Sequence, residues 1–277
     1  MKTVALPSGE RVPALGMGTW YMGENPATRP EELATLHLGF DLGVTLVDTA
    51  EMYGDGLAEQ LVGEAIEGRR DEVFLVTKIL PHHADRRQAS IACEGSLRRL
   101  GTDRIDLYLL HWRGEVPLAE TLAAFMELQK EGKIRYYGVS NLDIDDMKEL
   151  WWLPGGSNVA TDQVLYNLAH RGIEWELLPW LREHRIPVMA YSPIQRAGLM
   201  DDSRLVNFAM RHGRTPAQVA LAWLLAKDDV IVIPKTSHRK RLEENLGALE
   251  DPLTKAQLKE LDRLFPPPKG PTPLEVL

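Results

Sequence analysis

Asp48, Tyr53, Lys78 and His111 carry the side chains from which proton-transfer chemistry could be assembled. Taken singly, each has an ordinary explanation. Asp48 could cap a turn or a helix. Lys78 could lay its stem along the surface with its ammonium in water. His111 could be a hydrogen-bonded core histidine, and Tyr53 a loop aromatic. Together they form a working set. An aspartate and a lysine facing one another away from water require each other, because losing either strands a charge. An ammonium beside a phenol favours the phenolate and lowers the tyrosine pKa, which would make Tyr53 a proton donor near neutral pH. An imidazole close by could hydrogen-bond a carbonyl oxygen and polarise it. That is a layout for reducing a carbonyl, and since it holds no hydride of its own it requires a cofactor.

Whether the four meet depends on the elements that carry them. Short apolar runs at 14–18, 44–47, 73–77, 105–110, 134–139, 160–164, 187–191 and 230–233 read as strands buried on both faces. Between them, amphipathic stretches at 30–42, 57–67, 88–100, 118–131, 173–184, 216–227 and 241–249 read as helices. An N-terminal hairpin, 2–6 and 11–15 around Pro7, Ser8 and Gly9, precedes them. Eight strands alternating with helices predict an α/β fold, a parallel eight-stranded (β/α)8 TIM barrel, with an open doubly wound sheet as the alternative. No composition break divides residues 1–277, so a single domain is expected; 154–157 is a loop before the sixth barrel strand. Prolines from Pro266 exclude helix, so the tail is expected to drape over the surface.

Barrel active sites sit at the C-terminal ends of the strands. There the second to eighth strands deliver Asp48, Lys78, His111, Ser140-Asn141, Gln163, Tyr191-Ser192 and Lys235-Thr236 to one rim. His238 to Arg241 then form a basic cluster at a predicted helix start, a combination suited to a phosphate dianion, although a solvated basic face would look the same.

Composition narrows the partners. The chain has 277 residues, 44% of them hydrophobic and 26% charged, and a net charge of −8. An acidic surface disfavours nucleic acid or an anionic membrane as the main partner. The single cysteine, Cys93, lies in a helical pattern and reads as a small buried residue. No signal-like leader and no membrane-length apolar run is visible, so a cytoplasmic location is expected. No Gly-x-Gly-x-x-Gly follows a strand, and no P-loop, His-Glu-x-x-His or zinc-spaced Cys/His set occurs; the adjacent His82-His83 suits a shared metal poorly, and no metal is expected.

At these residues the chain resembles the aldo-keto reductase family. The resemblance rests on Leu46-Val47-Asp48-Thr49-Ala50-Glu51-Met52-Tyr53-Gly54, Leu75-Val76-Thr77-Lys78, Asp106-Leu107-Tyr108-Leu109-Leu110-His111-Trp112, Gly138-Val139-Ser140-Asn141, Ala190-Tyr191-Ser192-Pro193 and Ile233-Pro234-Lys235-Thr236. It spans almost the whole chain and looks most like the short bacterial members that reduce methylglyoxal and other small aldehydes. The resemblance implies a catalytic tetrad of Asp48, Tyr53, Lys78 and His111, with Tyr53 as general acid, and NADPH as cofactor. It implies that Ser140, Asn141 and Gln163 hold the nicotinamide carboxamide and that Tyr191 stacks on the ring. Ser192 and the loop through Ile194 would contact the pyrophosphate. Lys235, Thr236, Ser237 and Arg241 would bind the 2′-phosphate, with Glu244 and Asn245 near the adenine. Trp20 and Trp112 would line the substrate pocket, and a monomer is implied.

Two departures from the family pattern stand out. The loop after the seventh barrel strand, Ile194-Gln195-Arg196-Ala197-Gly198-Leu199, lacks a glycine common in relatives, though Arg196 could supply charge. The tail is shorter than in larger relatives, which leads us to expect an open pocket with loose selectivity for small aldehydes and dicarbonyls. Two other functions remain open: a barrel lyase using Lys78 as a Schiff base, and a regulatory subunit that senses the cofactor without turnover.

Overall fold

Valine, isoleucine and leucine runs covered on both faces form the strands, as parallel sheets flanked by helices require. The computed structural model describes residues 1–195 and 198–277. After the antiparallel pair β1 (Thr3–Ala5) and β2 (Arg11–Pro13) come eight parallel strands: β3 (Gly16–Gly18), β4 (Leu46–Asp48), β5 (Phe74–Ile79), β6 (Ile105–Leu110), β7 (Ile134–Ser140), β8 (Asp162–Leu165), β9 (Val188–Tyr191) and β10 (Val230–Val232). Each pairs with its neighbours in chain order. The circle closes between β10 and β3 through a sparse seam. Val232 N donates to Ala14 O (2.8 Å), Gly18 N donates to Pro234 O (3.0 Å), and isolated parallel bridges join Leu15 to Val232 and Gly18 to Lys235. Gly16 permits the close approach of β3 to β4, since a Cβ there would lie 2.5 Å from Leu46 Cδ2. This is the expected TIM barrel with its N-terminal hairpin.

The hairpin lies against the strand starts, where Glu10 accepts from Arg135 (2.6 Å) and from the Tyr136 hydroxyl (2.6 Å). Its Val4, Leu6 and Val12 are buried. The opposite mouth, at the strand ends, is left for the site.

Around the barrel run α1 (Arg29–Asp41), α2 (Leu57–Ala65), α3 (Arg86–Leu100), α4 (Leu118–Lys130), α5 (Ile144–Trp151), α6 (Leu177–Glu183), α7 (Ser203–Arg211), α8 (Pro216–Leu225), α9 (Arg239–Glu250) and α10 (Lys255–Leu264). Sequence periodicity misses α5, α7 and α10. In α5 only Met147 and Leu150 are buried, too few to trace a stripe. Its start is marked instead by Asp143, which accepts from Asp145 N and Asp146 N, 2.9 Å each. α10 opens with a reciprocal Thr254–Gln257 capping box, a start signal written in the sequence. Cys93 is fully buried on α3, and burial pushes its thiol up to about 12. No helix among the described residues is long and apolar enough to cross a membrane.

Candidate active site

The loop after β4 turns back sharply. Gly54, Asp55 and Gly56 all take positive φ, and this places Tyr53 over the ends of β4 and β5. Lys78, on the inward face of β5, is fully buried. All three of its ammonium protons are used: Asp48 Oδ2 at 2.8 Å, Thr49 O at 2.8 Å and the Tyr53 hydroxyl oxygen at 3.1 Å. Asp48, 2% exposed, turns its other oxygen to Gln163 Nε2 at 2.7 Å. Burial works against the Lys78 ammonium, but Asp48 and Tyr53 together outweigh it and hold its pKa above the usual lysine value.

The Tyr53 result corrects the expectation from sequence. Burial pushes its hydroxyl pKa above the usual value and exceeds the pull of Lys78, while Asp48 pushes up as well. The lysine's influence on the phenol is spent largely because Asp48 already neutralises it. Tyr53 therefore stays protonated well into the alkaline range.

His111 follows β6 and meets the Tyr53 ring edge-on, with 5.8 Å between centroids. Its backbone N donates to Ile79 O (3.0 Å) and its carbonyl accepts from Asn141 Nδ2 (3.1 Å), which fixes it across three strand ends. Burial, with a smaller contribution from Lys78, lowers its pKa to about 3. The ring is neutral at pH 7, and its buried Nδ1 has no hydrogen-bond partner.

Beside these four, Ser140 Oγ donates to Gln163 O (2.8 Å), Asn141 Nδ2 donates to Ser140 Oγ (3.2 Å), and the Tyr191 hydroxyl donates to Asn141 Oδ1 (2.9 Å). One cavity of about 640 Å³ connects them. Trp20, Met52, Tyr53, His111 and Trp112 border one end, and Lys235, Thr236, Ser237, Arg241, Glu244 and Asn245 the other. Ser192, Ile194 and Gln195 lie along its wall. Arg241 sits in the first turn of α9, whose N-terminal end adds its positive dipole to the side-chain charge, and Lys235 lies four residues before the helix. Every described residue that the family resemblance assigns to the site thus borders this cavity except Lys78, which lies beneath it; of the basic cluster, Arg241 lines it and His238, Arg239 and Lys240 do not. Arg196 falls outside the described residues.

Of the six described non-glycine residues with positive φ, five (Tyr21, Asp55, Asn141, Ser192 and Gln195) adjoin this rim. Such backbone costs about 1 kcal/mol or more each and persists where surroundings impose it, commonly at functional sites.

Sequence reasoning missed Met52, Met200 and, above all, the tail. The chain does leave regular structure after Phe265, but its end is not clear of the pocket. Thr272 packs on Gly172, where a Cβ would lie 2.6 Å from Thr272 Oγ1, and Leu274 packs on the core. Val276 and Leu277 then line the cavity mouth. The tail drapes over the surface as expected, with Val276 and Leu277 more than half exposed, but its end borders the cavity, a placement that proline content does not reveal.

On the outward face of β8, next to Gln163, Asp162 is fully buried and neither carboxyl oxygen finds a well-formed hydrogen bond. Burial lifts its pKa well above the carboxylate range; the Leu142 N–H offsets this in part, and Asp146 and Asp143 reinforce it.

The geometry has parallels among known proteins. The chain is 49% identical over 281 residues to methylglyoxal reductase YeaE of Escherichia coli K12, covering 100% of this chain and 99% of that protein. It is 31% identical over 270 residues to methylglyoxal reductase DkgB of Escherichia coli O157:H7, covering 92% and 96%. Its fold superimposes with a TM-score of 0.96 on a Klebsiella pneumoniae aldo/keto reductase crystallised with NADP and acetate, at 50% identity and coverage of 100% and 99%. Residues 14–265 match the aldo/keto reductase family as a whole, a span that starts just before β3 and ends just after α10. A barrel closed by β3 and β10, an Asp–Lys–Tyr cluster under a neutral histidine and these likenesses agree: the chain belongs to the aldo/keto reductase family.

Proposed function

We propose that this protein reduces small aldehydes and ketones, dicarbonyls included, to alcohols with NADPH, and that Tyr53 is the general acid. The observation that carries the reading is the Lys78 ammonium, whose three protons join Asp48, Thr49 and Tyr53 into one buried unit beside a neutral His111. The likeness to two methylglyoxal reductases and to an NADP complex supports the substrate class and the cofactor.

The residues fit such a cofactor. The cavity is lined by the amide and hydroxyl groups of Ser140, Asn141 and Gln163 and also by Lys235, Thr236, Ser237 and Arg241. Ser140, Asn141 and Gln163 would hold a carboxamide, and Tyr191 would lie against its ring. Ser192 and Ile194 would flank the pyrophosphate. Lys235, Thr236, Ser237 and Arg241 would hold a 2′-phosphate, with Glu244 and Asn245 against the adenine. When bound, the reduced nicotinamide supplies the hydride.

The protein's own groups do the rest. Tyr53 and the neutral His111 ring border the same cavity with 5.8 Å between ring centroids, and a carbonyl oxygen seated between them would meet both. His111 polarises that oxygen as a neutral donor, which keeps a second fixed positive charge away from Lys78. Tyr53 gives its proton to the oxygen as negative charge builds there, and Lys78 stabilises the phenolate left behind. Trp20 and Trp112 wall the substrate end against water. The Schiff-base reading of Lys78 loses ground, because a fully buried ammonium with three partners and a raised pKa is a poor nucleophile.

The test is loss of reduced-nicotinamide absorbance with methylglyoxal, an aromatic aldehyde, an aldose and a bulky ketone, each with NADPH and with NADH. Turnover of the small aldehydes with NADPH is expected. Saturable NADPH binding with no carbonyl turned over would overturn it in favour of a cofactor-sensing role.

A further inference from the structure

The segment after β8 is anchored from within. Asn167 is fully buried; its Oδ1 accepts from Ala169 N (2.9 Å) and His170 N (3.0 Å), and its Nδ2 donates to Ser192 O (3.0 Å). That fixes where His170 stands, and His170 then meets partners from two distant stretches of chain. Gln195 Nε2 lies 2.9 Å from His170 Nε2, and Glu275 Oε2 lies 3.0 Å from Nδ1, although out of line for a well-formed hydrogen bond. With the Gln195 amide donating to Nε2, a neutral ring carries its proton on Nδ1, toward the Glu275 carboxylate.

Both partners belong to parts of the cavity wall that need holding. Ser192 and Gln195 have φ of 47° and 35°, a conformation non-glycine residues keep only under constraint. Glu275 precedes Val276 and Leu277, which line the mouth, and Leu277 N lies 3.4 Å from the Tyr191 hydroxyl. One imidazole therefore touches both the 192–195 turn and the tail whose last residues border the cavity beside Tyr191.

We infer that His170 is a positioning residue that couples the two: seating the 192–195 turn on bound dinucleotide favours seating the tail over the carbonyl pocket, and the reverse. This rests on the reading of the cavity as a dinucleotide and carbonyl site. Coupling of this kind is reciprocal, so a change in the tail must be felt in cofactor release. An exposed ion pair acting alone would have little effect there.

The full chain is compared with Glu275→Gln, Gln195→Ala, His170→Ala and the Gln195→Ala/Glu275→Gln double variant. Three quantities are read: NADPH release by stopped-flow tryptophan fluorescence, KM for methylglyoxal, and the single-turnover rate of hydride transfer. Glu275→Gln changes an exposed side chain and should not disturb folding. It is expected to speed NADPH release and to raise KM, each by about threefold or more, with hydride transfer within about twofold of the parent. His170→Ala should reproduce both effects, and the double variant should be no worse than the stronger single one. Additive effects in the double variant, or a Glu275→Gln protein with altered KM and unchanged NADPH release, would overturn the coupling and leave the functional reading intact. A parent protein that neither binds NADPH nor turns over carbonyls would overturn both.

Discussion

At the substrate end of the cavity the charges are buried and matched. Lys78 and Asp48 are almost wholly removed from water, and Gln163, Thr49 and Tyr53 complete their hydrogen bonds. At the far end, Arg239, Lys240 and Arg241 are exposed on the first turn of α9, and Arg239 reaches across to Glu31 of α1 at 3.2 Å. One end is carried by strands, the other by a helix terminus. The difference predicts different penalties: changes in the buried end should appear in folding and in the chemical step, and changes in the exposed end in affinity and salt dependence.

The comparison is tested most severely at Lys78. Lys78→Met leaves Asp48 as an unmatched buried charge and should cost about 3–5 kcal/mol of stability, with Asp48→Asn in the same chain recovering part of it. Chemical denaturation of the single and double variants measures this; a Lys78→Met protein as stable as the parent would show that the pair is not isolated from water.

Tyr53→Phe removes the proton but keeps the ring. The expected loss is about 100-fold or more in kcat with nearly unchanged NADPH affinity. The parent enzyme's kcat should also be flat between about pH 6 and pH 9, since His111 titrates at about 3 and Tyr53 lies above the usual tyrosine value. A limb near neutral pH would mean that Lys78 prevails over burial after all.

Arg241→Ala probes the exposed end. It should raise KM for NADPH by about tenfold, leave KM for NADH and kcat unchanged, and weaken the salt dependence of NADPH binding. An equal effect on both cofactors would move the phosphate contact to another residue.

The smallest effect is expected at Asp162, which shares β8 with Gln163 but faces the helices. Its folded-state pKa lies above that of the unfolded chain, about 3.9. Below about pH 4 both states hold the proton and the group costs nothing. As pH rises further the unfolded chain releases a proton that the folded chain retains, and stability falls. Asp162→Asn removes that loss, so its gain in Tm should grow from near zero at pH 4 to about 2–4 °C at pH 8. A gain that is constant with pH would point to packing rather than ionisation.

What could be read from the sequence divides along the same line. Strands such as Ile105–Leu110 announce themselves because burial on both faces leaves an unbroken apolar run, and once strand ends are known the rim residues follow. Asp48, Lys78 and His111 are legible in that way. Helices α5 and α7 were hidden because each buries only two or three side chains, and their starts are written in the caps Asp143 and Asp202 instead. The Tyr53 pKa direction depends on how far burial outweighs a neighbouring charge, which spacing does not express. The tail's return to the pocket depends on contacts from Gly172 and His170, about a hundred residues earlier in the chain.

The barrel's seam has a further consequence. Between β10 and β3 the sheet is joined by isolated bridges rather than a ladder, so the amides of Gly18 and Val232 should exchange with deuterated solvent sooner than those of β5 to β7. Gly18 and Lys235 flank that seam and also border the cavity. A molecule lying across them would hold the barrel shut like a clasp, and its affinity would register as slowed exchange at two amides before any product is formed.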